Sequence, residues 1–265
     1  MSDSFEPHIR EFVADLDRLS HLLSFFGELR EFGARDPQAA QEDEAEFTRV
    51  ALEMRDKIRS LATDFPILSG TLLLYLAGRF EHFVRMLFET LCDSYAAKCD
   101  RFEQLPEKMR KSLVSYSAEV IANPNRYQYD EVAIQVVIKT LADNMAAEGG
   151  LGAINSRCLS ITEQNMHPGM LKELYNRIGI SNIWSEISKQ ARMKMYFELD
   201  KDADVERAAR STLENLMNLR NQIAHPSSSP SFPGPEVVEE YVRFIRVLSE
   251  VLIEISRLQS AVFKV

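Results

Sequence analysis

The sequence predicts an all-α protein: an antiparallel helical bundle with N-terminal helices and a helical insertion. Three observations carry that expectation. Apolar residues recur at three- and four-residue steps through most of the chain, as a helix with one buried face requires. Prolines and glycines punctuate the pattern at intervals of helix length. No segment alternates apolar and polar residues convincingly enough to demand a strand.

In order along the chain, Ile9, Phe12, Leu16, Leu19, Leu23 and Phe26 form one stripe, so residues 5–31 read as an amphipathic helix. Asp36-Pro37 reads as a turn, and a second helix is expected over about 43–63, with Pro66 breaking the chain after it. A long helix should run from Leu68 to about Lys98, striped by Leu72, Leu76, Phe80, Phe83, Leu87 and Leu91. Gly70 and Gly78 cost it some helix propensity, which a closely packed neighbouring backbone would explain. Residues 106–122 and 130–147 read as shorter helices around the turn NPNRYQ, and Gly149, Gly150 and Gly152 mark the next break. His167-Pro168-Gly169 opens a helix to about Ile178, and Trp184 to Phe197 reads as another.

The C-terminal part is the most regular. Val205, Ala209, Leu216, Leu219 and Ile223 stripe a helix for which Asp202 or Asp204 is a candidate N-cap. That helix must stop near His225, because Pro226 disfavours helical geometry in the residue before it. After the loop PSSSPSFPGP, Val238, Tyr241, Ile245, Leu248, Leu252, Ile255 and Val262 keep a heptad-like seam suited to packing on other helices. Three long striped helices plus a fourth make a bundle.

A chain of 265 residues with 45% hydrophobic side chains has the length of one large domain or two small ones, and can build a core without staples. The division we expect is residues 1–65 as acidic helices packing on the bundle, and residues 66–265 as the bundle itself, with an insertion at about 100–200. Three cysteines without a Cys-x-x-Cys pair fit neither a disulfide scaffold nor a zinc ribbon. The start MSDSFEPHIREF lacks the basic and apolar regions of a signal peptide, and the best apolar run is only Leu72 to Ala77. The expectation is a cytoplasmic protein without membrane contact.

A net charge of -9, from 31 basic and 40 acidic residues, argues against nonspecific nucleic-acid binding through a broad basic surface. The charge is uneven, since residues 1–65 hold 15 acidic and 8 basic side chains. Their densest part, Glu42, Asp43, Glu44 and Glu46, is either a solvated loop and helix start or a surface that repels phosphate or docks a basic partner. Any site for nucleic acid is then expected to be a small cationic pocket.

Candidate chemistry is scarce. His8, His21, His82, His167 and His225 form no metal-binding spacing, so no metal or other cofactor is expected. His167 reads as a helix-entry residue, and Cys92, Cys99 and Cys158 as buried packing. The glycine trio lacks the Lys-Ser/Thr of a phosphate loop, and neither a Gly-x-Ser-x-Gly elbow nor a dinucleotide fingerprint occurs. One stretch differs: LRNQIAHP, residues 219–226. Continuing the helix places Glu214, Asn218, Asn221 and His225 on one face, at steps of four, three and four. Arg220 reaches out at the edge of the apolar stripe, and His225 stands at a helix C-terminus, where the dipole favours positive charge. An Arg fork beside a titratable imidazole suits a phosphodiester. A C-capping His beside a surface Arg fits the same residues.

The hexapeptide RNQIAH resembles the HEPN superfamily motif, an Arg followed after four to six residues by His, commonly with Asn directly after the Arg. The segment LLLYLAGRFEHFVRMLFETLCDSYAAKC, with its Phe80-Glu81 pair, resembles the first bundle helix of the RiboL-PSP and MAE-type branches. The resemblance covers residues 68–99 and 203–262, is loose over 100–200 and does not extend to 1–65. It implies a HEPN-like bundle that dimerises. It also implies a metal-independent endoribonuclease in a toxin–antitoxin or phage-defence setting, with RNA as substrate and an antitoxin or defence protein as a possible partner. In that scheme Arg220 binds the scissile phosphate, His225 moves a proton and Asn221 orients the His or the RNA. Glu81 is a further site candidate whose other reading is an i,i+4 ion pair with Arg85. An inactive HEPN-like binding or dimerisation module, or a helical adaptor, is the alternative.

Overall fold

A computed structural model describes residues 4–34, 45–225 and 232–265. The Asp36-Pro37 turn, the side chains of the acidic cluster around Glu44 and most of the loop after His225 lie outside the described residues. Among the described residues there are eleven α-helices and no strand. They are α1 (Glu6–Ala34), α2 (Ala45–Ser60), α3 (Phe65–Ala96), α4 (Glu107–Ala122), α5 (Glu131–Met145), α6 (Ser156–Leu159), α7 (Pro168–Asn176), α8 (Ile183–Ser188), α9 (Ala191–Phe197), α10 (Asp202–Ala224) and α11 (Pro235–Val262).

The central element is α3, which buries Leu73, Leu76, Phe80, Phe83, Val84, Leu87, Phe88 and Leu91. It packs against both α1 and α11, and those two pack on each other. Side-chain pairs fix the directions. Phe12 stacks on Phe83 at 4.4 Å while Phe26 meets Phe65, so α1 runs antiparallel to α3. Glu6 pairs with Arg257, Asp17 with Arg246 and Arg30 with Glu236, so α1 is also antiparallel to α11. The C-terminal ends of α3 and α11 therefore meet, with Tyr95 stacked on Phe263 at 4.3 Å. Parallel neighbours need a long crossover, and the chain between α3 and α11 supplies it. Helix α10 packs on α3, with α8 and α9 covering α10 and α11.

The acids of α1 face the arginines of its neighbours. Asp15 is 4% exposed and bonds Arg79 at 2.5 Å, and Arg79 also reaches Glu11 at 2.6 Å. Part of the N-terminal negative charge is thus balanced within the bundle.

Several elements depart from the periodicity. Pro66 does not end anything: it occupies the first turn of α3, where a missing N–H costs no hydrogen bond. The stretch 184–197 is two helices, because Gln190 is extended and the chain turns from α10 towards α11. The N-cap of α10 is Lys201 rather than Asp202 or Asp204, and Asp202 instead pairs with Lys194 at 2.7 Å. A Cβ on Gly70 would lie 2.5 Å from the Phe232 ring, so the close neighbour is a side chain and not a backbone; around Gly78 there is open space. Gly149, Gly150 and Gly152 all have positive φ, which disfavours any other residue in that break. Among the described residues no single helix is long and apolar enough to cross a membrane; α2 and α3 meet those limits only as a pair bent by 71°.

Candidate functional site

The site forms where the last turns of α10 meet the loop of residues 161–167. Val205, Ala209, Leu213, Leu216, Met217 and Ile223 bury one face of α10, which turns Glu214, Asn218 and Asn221 outward. The helix ends at His225, whose backbone φ and ψ of -132° and 66° leave the helical region and whose N–H donates to the Asn221 carbonyl at 3.0 Å. The imidazole of His225 is exposed.

The loop opposite is held at both ends. Arg177, 7% exposed, donates from Nη1 to the carbonyls of Leu159 and Ile161, both at 2.7 Å. It also pairs with Glu173 at 2.8 Å and lies 4.1 Å over the Tyr116 ring. At the other end His167 caps α7: its Nδ1 accepts the N–H groups of Gly169 and Met170 at 3.1 and 3.3 Å. That places the ring proton on Nε2, which donates to Gln164 Oε1 at 2.8 Å. Between the ends, the Met166 side chain is fully buried and Asn165 Nδ2 donates to Asn221 Oδ1.

A cavity of about 400 Å³ lies between these elements. It is lined from α10 by Glu214, Met217, Asn218, Arg220, Asn221 and His225, and from the loop by Glu163, Gln164, Asn165 and His167. Arg220 donates from Nη1 to Asn221 Oδ1 at 3.2 Å and, among the described residues, pairs with no carboxylate. The structure thus brings Arg220, Asn221 and His225 to one cavity and leaves Glu81 out of its lining. Glu81 stands behind the loop instead, with its side chain 15% exposed. Its Oε1 accepts the Met166 N–H at 3.0 Å and its Oε2 meets Arg85 at 3.5 Å.

The cavity is less cationic than the charge distribution led us to expect. Arg220 shares the lining with Glu163 and Glu214, and Glu163 is engaged by Arg126 at 2.6 Å. Sequence reasoning missed Gln164 and Asn165 and gave His167 only its capping role. The His-Pro-Gly start marked where the loop had to end, but nothing local marked what it would face. Among the described residues no three His, Cys, Asp or Glu side chains converge as a metal site requires. A second cavity of about 490 Å³ lies between α1 and the start of α11, lined by Ser20, His21 and Glu239 among others, and it shares no lining residue with the first.

The family model described as RiboL-PSP-HEPN matches residues 52–256. The matched span includes residues 100–200, where the resemblance read from the sequence was loose. No curated protein and no solved structure matches the chain.

Proposed function

The chain belongs to the RiboL-PSP-HEPN family, a HEPN-type family whose domains are all-α and often ribonucleases, and from that premise we propose that it is an endoribonuclease acting through Arg220, Asn221 and His225. The observation that supports this most is the meeting of those three side chains on one solvent-open cavity at the end of α10. Such a cavity admits a phosphodiester. The Arg220 guanidinium neutralises charge developing on the non-bridging oxygens. His225 removes the proton of the RNA 2′-OH, whose oxygen attacks the adjacent phosphorus. The new P–O2′ bond forms as the P–O5′ bond breaks, leaving a 2′,3′-cyclic phosphate and a 5′-hydroxyl. No metal or cofactor enters these steps.

The departing 5′ oxygen needs a proton. His167 is poorly suited to give one, since its Nδ1 is occupied by two amides and its Nε2–H by Gln164. We therefore propose a homodimer, in which the equivalent of His225 on a second protomer acts as the acid. The proposed setting is a toxin–antitoxin or phage-defence system. Glu81 acts as a positioning residue for the loop and not as an acid or base. Incubation with single-stranded RNA in EDTA, followed by end-group analysis, tests the reaction. Fragments ending in 2′,3′-cyclic phosphate and 5′-hydroxyl support it; intact RNA, or 5′-phosphate ends, contradict it.

A further inference from the structure

We propose that Asn165 is a positioning residue of this site: by donating to Asn221 Oδ1 it sets the Asn221 amide so that Asn221 Nδ2 and the Arg220 guanidinium are offered together to an anionic ligand. The identity of that ligand as an RNA phosphodiester rests on the ribonuclease reading above; the hydrogen-bond relay does not.

An amide oxygen has two acceptor positions, and Asn221 Oδ1 receives two donors, Nδ2 of Asn165 and Nη1 of Arg220 at 3.2 Å. Flipping the Asn221 amide would set its own N–H groups against both donors, so one orientation is selected. That orientation leaves Asn221 Nδ2 as the free end of an exposed side chain in the cavity lining. It also turns one arm of the Arg220 fork inward, leaving the remaining N–H groups for a phosphate oxygen.

Asn165 is itself well placed to impose order. Its carbonyl accepts the His167 N–H at 2.7 Å, the next residue's N–H is held by Glu81, and His167 is locked as the cap of α7. The relay therefore links α3 and α7 to the end of α10 through a residue 56 positions away from Asn221.

Two measurements on the full chain test this. In protein labelled with ¹⁵N-asparagine, the Asn221 side-chain amide pair, assigned by its loss in Asn221→Ala, should shift in Asn165→Ala. The second is a double-mutant cycle of Asn165→Ala and Asn221→Ala, read both as RNA cleavage rate and as affinity for a single-stranded DNA of the same sequence, which lacks the 2′-OH. Asn165→Ala alone should lower both by about five- to tenfold, as expected for one lost hydrogen bond, and should add less than about twofold in the Asn221→Ala background. Independent, multiplying effects, or an unmoved Asn221 amide pair, would overturn the proposal. Coupling in DNA binding without RNA cleavage by the wild type sinks the ribonuclease reading and leaves the relay standing; cleavage with additive effects does the reverse.

Discussion

The carboxylate of Glu81 accepts the backbone N–H of Met166 at 3.0 Å, tying the middle of α3 to the loop that walls the candidate site. Met166 is buried, and Glu81 is the acceptor its N–H meets. Glu81→Ala is expected to cost about 1–3 kcal/mol of stability, the penalty of an unsatisfied buried N–H, and to slow RNA cleavage through the loosened loop. Glu81→Gln retains an acceptor oxygen and should lie close to wild type in both denaturant midpoint and rate. An inactive but stable Glu81→Gln would instead assign the carboxylate to proton transfer.

Two glycines of α3 should respond to alanine with opposite signs. At Gly70 the added methyl meets the Phe232 ring at 2.5 Å, so Gly70→Ala should destabilise by about 1–3 kcal/mol. At Gly78, exposed and with nothing within 4 Å of the added methyl, Gly78→Ala should stabilise by about 0.5–1 kcal/mol. Urea denaturation of both variants decides the matter, and equal signs would contradict the packing described.

Arg177 joins four partners that no lysine can reach at once: two carbonyls, Glu173 and the Tyr116 ring. Arg177→Ala should therefore cost about 1–3 kcal/mol, mainly because the buried Leu159 carbonyl is left without its donor. Arg177→Lys should recover only a part, because a single ammonium cannot serve as a fork. Hydrogen exchange should also rise in residues 159–167. A variant with protected loop amides would show that the loop is held by something else.

These relations mark what the sequence could and could not tell. The polar stripe Glu214, Asn218, Asn221 and His225 was readable because spacing within one helix survives folding unchanged. All four line the cavity. The long helices were readable for the same reason, as α11 and its seam from Val238 to Ile255 illustrate, whereas Val262 at the seam's expected end is exposed. Asn165 was not readable, since its partner is 56 positions away and no local rule pairs them. The ion pairs of the α1 acids were not readable, because their arginine partners lie on α3 and α11, and only the tertiary register brings them together. Glu81 looked like a site residue or a plain ion pair; that it holds a backbone N–H depends on where a distant loop passes.

The thiols give a pH-dependent prediction. Cys92, Cys99 and Cys158 are all buried and form no disulfide. Burial pushes each thiol above its ordinary value, Cys92 furthest, and Tyr95 is pushed up to about 12 chiefly by burial. Groups raised in the folded state bind their protons more tightly there than in the unfolded chain. Their contribution to stability is complete below the unfolded thiol pKa of about 8.5 and is lost as pH climbs through the folded values. The melting temperature should thus fall from about pH 9 upward, and a disulfide thiol reagent should titrate three thiols only after denaturation. Rapid reaction of the native protein at pH 8 would contradict the burial.

Arg220 and His225 are proposed to form one ribonucleolytic site. The most direct measurement compares wild type, Arg220→Ala and His225→Ala on single-stranded RNA in EDTA, with melting curves taken on the same preparations. Both residues lie at a solvent-open cavity, so all three proteins should melt alike while each variant loses at least about 100-fold in rate, the scale of a removed general base or charge-stabilising donor. Equal cleavage by all three would show that Arg220 and His225 are not the ribonucleolytic site.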